Sequence, residues 1–222
     1  MSANAIDQRD WFLFHGAFTL VAAGCLAWLP FARGQILMGL VVAFNAGLPL
    51  FAVWRRCPHW IAIWLFVFPL SMFQILPDYF LAEVAGVIVF PDQGGPRVGP
   101  LSAYMGGLWA IPLFAIVYWS EQVSPRWRHA VAALLAFLIF GVSEALSPTL
   151  GSWFARDVRM VGAVALYVLP AEALLGVAAT VGYELSRDST FRRLMAASAV
   201  MLFYAGSLAI SLLFFEHICG PA

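Results

Sequence analysis

Ahead of Pro148 the chain reads Ala130-Val-Ala-Ala-Leu-Leu-Ala-Phe-Leu-Ile-Phe-Gly-Val-Ser-Glu-Ala-Leu-Ser147, a continuous apolar run whose single charge is Glu144. At 1.5 Å of rise per residue, this run makes a helix about 27 Å long, close to the ~30 Å hydrocarbon thickness of a bilayer. It therefore reads as a membrane span. A carboxyl inside a span costs at least a few kcal/mol, so Glu144 is a functional candidate that must face protein or a wet cavity.

Composition extends that reading to the whole chain: of 222 residues, 63% are hydrophobic and 11% charged, with a mean hydropathy of +0.87. Soluble domains sit nearer half apolar and a quarter charged. The apolar runs fall at Trp11–Phe31, Gln35–Trp54, Trp60–Leu76, Leu101–Ser120, Ala130–Ser147, Met160–Tyr183 and Leu194–Ile218. Seven spans use about 140 residues and leave no room for a soluble catalytic domain. The expected fold is all-α, a polytopic membrane protein forming one domain over residues 1–222. Between Trp60 and Phe90 a single helix would reach about 46 Å, too long for one crossing. Trp60–Leu76 is read as the span and Tyr79–Phe90 as a short re-entrant or interfacial helix, with Asp78 at its start as an N-cap or a pocket acid.

All twelve cationic residues are Arg. Without lysine, a retinal Schiff base and a phosphate-loop lysine are both excluded. Net charge is zero, which gives no electrostatic case for nucleic acid. Loop counting places Arg9, Arg55, Arg56, Arg126, Arg128, Arg187, Arg192 and Arg193 on the N-terminal side, against Arg33, Arg97, Arg156 and Arg159 on the other. That asymmetry predicts a cytoplasmic N-terminus and a C-terminus across the membrane. Met1–Asp10 lacks the basic start of a cleaved signal peptide, so the first apolar run is expected to remain as an anchor. Cys25, Cys57 and Cys219 are odd in number and far apart, which points to neither a disulfide framework nor a zinc site. His15, His59, His129 and His217 show no metal-ligand spacing, and no cofactor is expected. Neither GxSxG nor GxGxxG occurs in a fitting context.

Carboxylic acids are left as the proton-handling groups. Glu172, in Leu169-Pro-Ala-Glu172, falls at the centre of the sixth span beside a proline kink. The third and fifth spans run outward to Asp78 and Glu144, and the sixth returns through Glu172. The three acids can therefore meet in the outer half of one bundle, as general acid and base partners. Glu83, one turn after Asp78, is a capping-turn acid or a second pocket carboxyl. Tyr79, Tyr104, Trp109, Trp153 and Tyr167 supply aromatic faces that can stabilise a cation or simply pack. Arg97 and Arg159 stand on the same side, either to hold the polar or diphosphate end of a substrate or to set topology.

Glu144-Ala-Leu-Ser-Pro-Thr-Leu-Gly-Ser-Trp153 followed by Leu169-Pro-Ala-Glu172 resembles the signature of the integral membrane lycopene cyclase domain family. A weaker copy occurs earlier: Asp78 stands eight residues before Gly86, as Glu144 stands seven before Gly151, and Pro112 follows in the next span. The chain is thus similar to a tandem repeat of helical units. Where that family has two adjacent acids after its proline, this chain has Glu172 followed by Ala173. The resemblance implies a membrane-embedded isoprenoid cyclase, terpene- or carotenoid-like, that protonates and deprotonates a lipophilic polyene or prenylated substrate with no net redox change. Glu172 would be proton donor or base, with Asp78 and Glu144 as its partners. Two other classes suit the same acids, a small proton-coupled transporter and a non-catalytic membrane partner subunit. The partners expected are an isoprenoid substrate and membrane lipid.

Overall fold

The computed structural model describes residues 3–28 and 32–219. Among the described residues six helices are long and apolar enough to cross a membrane: Ala5–Trp28, Arg33–Arg55, Pro58–Val84, Arg128–Leu150, Val168–Leu185 and Thr190–Ile218. The fold is that of a helical, multi-pass membrane protein. Its elements in chain order are α1 (Ala3–Trp28), α2 (Arg33–Arg55), α3 (Pro58–Phe73), α4 (Ile75–Tyr79) with a π-helical turn at Phe80–Val84, and β1 (Ile88–Val89). There follow β2 (Arg97–Val98), β3 (Leu101–Ser102), α5 (Met105–Leu108), α6 (Ala110–Glu121), α7 (Arg128–Leu150) and β4 (Phe154–Ala155). The chain closes with β5 (Met160–Val161), β6 (Val164–Ala165), α8 (Val168–Leu185), α9 (Thr190–Leu213) and a second π-helical turn at Phe214–Ile218.

Three expectations differ from what is found. The run expected to cross as Leu101–Ser120 is split: Leu101 and Ser102 form β3, and helix resumes as α5 and then α6, which falls short of span length. The separate short helix expected over Tyr79–Phe90 is instead a continuation of the third span, which stays helical to Val84 before turning at Gly86. The reason lies at Gln74, where the helix slips a turn and restarts at Ile75. Pro77 then falls in a first turn, where its missing N–H interrupts no helical bond. Asp78 is consequently no N-cap. Its backbone N–H donates to the Gln74 carbonyl at 3.1 Å within the helix, which leaves its side chain free to enter the bundle. Finally, the expected sixth span begins later, because Met160–Ala165 forms the β5–β6 hairpin.

One sequence of elements occurs twice. A helix ends on a left-handed glycine, a short strand follows, then a two-stranded hairpin, then a returning helix. The first pass runs α3–α4, Gly86, β1, β2–β3, α5–α6, and the second α7, Gly151, β4, β5–β6, α8. The two passes join where β1 pairs antiparallel with β4, Ile88 opposite Ala155 and Val89 opposite Phe154. The unequal spacing of the acids from their glycines has a local cause, since the π-helical turn at Phe80–Val84 inserts one extra residue into the first pass.

Packing around the second pass depends on close approach. At Gly176 in α8 an added Cβ would stand 2.5 Å from Ala136 Cβ and 2.6 Å from the Ala132 carbonyl oxygen of α7, so the α7–α8 pair is set by small residues. Asn45 is the interhelical hydrogen-bonder its type predicts. Its amide donates to Val41 and Gly107 carbonyls at 2.9 and 3.1 Å and accepts the Trp64 indole N–H at 3.3 Å, tying α2, α3 and α5. At the end of the bundle away from the hairpins, Asp7 accepts from Tyr118 Oη at 2.7 Å and Trp60 Nε1 at 3.0 Å, and Asp10 takes the Arg55 guanidinium at 2.7 Å. Arg128 pairs with both Glu121 and Glu184 there, joining α6, α7 and α8.

Cysteine chemistry checks this arrangement. Burial pushes the Cys57 thiol up to about 11, whereas Cys219 lies exposed beyond α9. Because the thiolate is the nucleophile, a maleimide applied to the protein in mild detergent at neutral pH should label Cys219 and leave Cys57 unmodified. Labelling of Cys57 should grow only as the pH climbs toward its raised value. Peptide mass spectrometry reads both sites.

Candidate functional site

The returning helices and α7 enclose a cavity of about 370 Å³. Trp109, Ile111, Pro112 and Ala115 line it from α6 and its start, Phe140, Ser143, Glu144, Ser147 and Leu150 from α7, Ser152 and Trp153 from the turn after α7, and Glu172 from α8. Leu37 of α2 and His15 of α1 close the remaining side. Its volume lies toward the lower end of the ~300–1,000 Å³ of small-molecule sites, and its wall is mostly apolar with a few polar groups, as such sites are.

Two of the expected carboxyls face this space. Glu144 accepts the Trp153 indole N–H at 2.8 Å, which fixes both side chains across the turn at Gly151. Glu172 is 2% exposed, and its Oε2 has no hydrogen-bond partner among the described residues. A buried polar atom left unpaired costs about 1–3 kcal/mol and marks either strain or a site awaiting a ligand. Asp78, 4% exposed, stands behind the wall. Its carboxylate accepts the Trp109 indole N–H at 3.2 Å, so that Trp109 separates it from the cavity while presenting a ring to it. The three acids are nonetheless close neighbours, Glu172 lying within Coulombic range of both Glu144 and Asp78. Trp109 is held in turn by Phe140 and Tyr204, with ring centroids at 5.0 and 5.8 Å. The double pass of elements rationalises these pairs. Asp78 and Glu144 occupy matching places, and counting from Tyr104 and Tyr167 puts Trp109 where the second pass has Glu172.

The other expected site residues lie around this centre. Tyr167 is fully buried just before α8, its hydroxyl unpartnered and within Coulombic range of all three acids. Tyr104 is buried beneath the loop of the first pass and donates its hydroxyl to Gln93 Oε1 at 3.0 Å. Tyr79 packs its ring edge against Gly99, and Glu83 is exposed on the π-helical turn. Arg97 is exposed and clasps its own loop, donating to the Phe90 and Pro100 carbonyls. Arg159 is half-buried, and its backbone N–H donates to Glu216 at 3.0 Å. None of these six lines the cavity among the described residues.

Residues outside the expected site complete the wall. Leu150 leaves its carbonyl at the C-terminal end of α7, and both Gln93 Nε2 and Arg33 Nη1 donate to it, at 2.9 and 3.2 Å. This double bond latches α2 and the first loop to α7 over the acidic end of the cavity. Gly34 makes the approach feasible, since a Cβ there would stand 2.8 Å from the Gln93 carbonyl oxygen. At the far end His15 was set aside because it stands alone in sequence. Its signal was its place one turn after Trp11 in an otherwise apolar span.

Comparison with curated proteins and with solved structures finds no match. One family model, described as a domain of unknown function (DUF6989), matches residues 75–215. The matched stretch runs from α4 to the end of α9 and contains Asp78, Trp109, Glu144, Trp153 and Glu172, while α1, α2 and α3 stand outside it. Well over half of this chain is thereby accounted for, and the protein belongs to the DUF6989 family.

Proposed function

We propose that the protein is a membrane-embedded isoprenoid cyclase that works by carboxylic-acid protonation and deprotonation. The observation that carries this reading is that two carboxyls from different helices, Glu172 and Glu144, share one small apolar cavity walled by Trp109 and Trp153. Cyclisation of an alkene chain needs such a pair. A carboxylic acid adds a proton to one double bond, the resulting cation is attacked by a second double bond to form a ring C–C bond, and a carboxylate removes a proton. The product is an isomer of the substrate.

Hydrogen bonding divides the labour. Glu144 already accepts an indole N–H and is oriented as an acceptor, which suits the base. Glu172, with Oε2 unpartnered, is free to present its proton to the substrate. Proton transfer within the acid cluster would return the donor to its starting state. Indole faces stabilise cations, by ~0.5–2 kcal/mol each, and Trp109 and Trp153 flank the space where positive charge would travel. Asp78 positions Trp109 and does not touch the substrate. The wall is apolar where the chain must fold back on itself, which disfavours the water that would quench a cation.

In this reading α5 and α6 complete a seventh crossing with the protein buried around them, the N-terminus is cytoplasmic as the arginine asymmetry requires, and the hairpins lie on the opposite side. The substrate is a small prenylated molecule, since the cavity is too small to enclose a full-length carotenoid. Lipids extracted from the protein purified in mild detergent should contain a prenylated lipophile, or its cyclic isomer, enriched over the bulk membrane. Mass spectrometry of the extract showing bulk phospholipid alone would contradict the proposal.

A further inference from the structure

His15 gives the far end of the cavity a chemical preference. Its imidazole stacks with two aromatic rings, Trp11 at a centroid distance of 4.0 Å and 16° and Phe114 at 5.7 Å and 17°, and Phe44 meets it edge-to-face at 5.7 Å. A ring packed against three neighbours cannot rotate freely. Nδ1 lies 3.0 Å from the Trp11 carbonyl oxygen, which can only accept, so Nδ1 carries the hydrogen. In the neutral ring Nε2 is then a lone-pair acceptor. That atom is buried without a partner among the described residues, and the residue lines the same cavity as Glu144 and Glu172. An orphan acceptor held in a fixed orientation at the cavity wall matches a group that donates a hydrogen bond.

We propose that the molecule bound in this cavity carries a hydroxyl, alcoholic or phenolic, which donates its hydrogen to His15 Nε2 at the end remote from the acids. The inference rests on the isoprenoid reading of the cavity and narrows it to prenyl alcohols and prenylated phenols. Phe114 stands five residues beyond Trp109 on the same helix, an axial offset of about 7.5 Å. The hydroxyl would thus lie one short prenyl chain away from the layer of Trp109 and Glu172. Recognition and chemistry come from different parts of the chain, for His15 stands outside the residues 75–215 that define the family.

The test is a binding competition on the full-length protein in phosphatidylcholine nanodiscs, with labelled farnesol displaced by farnesol, its methyl ether or farnesoic acid. The ether keeps the carbon chain and loses the donor. A site built around a hydrogen bond rejects a ligand that leaves its polar atom unpaired, so the ether should compete about tenfold more weakly than the alcohol. His15→Phe should bring alcohol and ether to the same affinity. Equal competition in the native protein, tighter binding of the acid, or an alcohol preference that survives in His15→Phe would each overturn the proposal. The comparison of probes on the native protein stands even where the variant does not fold. Binding is read here without turnover. A lost alcohol preference therefore leaves the acid chemistry to its own assay, and absent turnover with the preference intact would count against the cyclase alone.

Discussion

Glu172→Gln should lower conversion of a prenylated substrate by a factor of roughly 10²–10⁴, the usual worth of a positioned general acid. The amide keeps the size and shape of the side chain and takes away the transferable proton. Stability should change little, because Glu172 Oε2 makes no hydrogen bond whose loss would be felt. Asp78→Asn offers the contrast. An amide oxygen still accepts the Trp109 indole N–H that the carboxylate accepts at 3.2 Å, so the wall stays in place and the loss of turnover should be much smaller. Initial rates on membranes normalised for folded protein separate the two. Equal losses would place Asp78 in contact with the substrate, and undiminished turnover in Glu172→Gln would remove that residue from the mechanism.

Gly176→Leu should abolish the folded protein. An added Cβ alone would stand 2.5 Å from Ala136 Cβ and 2.6 Å from the Ala132 carbonyl oxygen, and that oxygen belongs to helix backbone that cannot swing aside. The whole of α7 would have to move away from α8. Overpacking by single methylenes already costs about 1–3 kcal/mol, and a full Leu at the seam of two helices exceeds the margin by which most proteins are stable. The same displacement would separate Glu144 from Glu172, so any molecules that survive should be inactive. Gly206→Ala is the control, as nothing lies within 4 Å of a Cβ there and its melting temperature should be unchanged. Thermal melts in detergent, followed by size-exclusion profile, read all three proteins. A Gly176→Leu protein that melts like the native one would contradict the packing described.

The helices were legible because their cause is local. Uninterrupted apolar runs leave a bilayer few alternatives, and the same scarcity of charge singled out Asp78, Glu144 and Glu172. The strands were not legible, since each is two residues long and is created by its partner, across a turn as Met160 is by Ala165 or from the other pass as Val89 is by Phe154. The third span is read from sequence as ending at Leu76 because one helix from Trp60 to Phe90 is too long for a crossing. The helix nonetheless runs on through Pro77, since the slip at Gln74, a tertiary accommodation, makes that proline a tolerated first-turn residue. The π-helical turn did leave a trace, the spacing of eight against seven between acid and glycine, whose meaning needs the backbone to be seen. Most of the aromatic and basic candidates were chosen by nearness in sequence to the acids, and side-chain direction divides them. Trp109 and Trp153 point into the cavity, while Tyr79 and Arg97 serve the loop. His15 joins the cavity from a helix far away in sequence, a relation that no spacing records.

Proton exchange tests the central claim most directly. The protein in nanodiscs, incubated with a prenylated alcohol or phenol in deuterated water, should give a product isomeric with its substrate except for one deuterium fixed on carbon, because one solvent-derived proton is added and a different one is lost. The label should vanish together with the product in Glu172→Gln. A substrate recovered unchanged and unlabelled across prenyl chain lengths, or a product labelled equally well by the Glu172→Gln protein, would contradict acid-initiated cyclisation at this site.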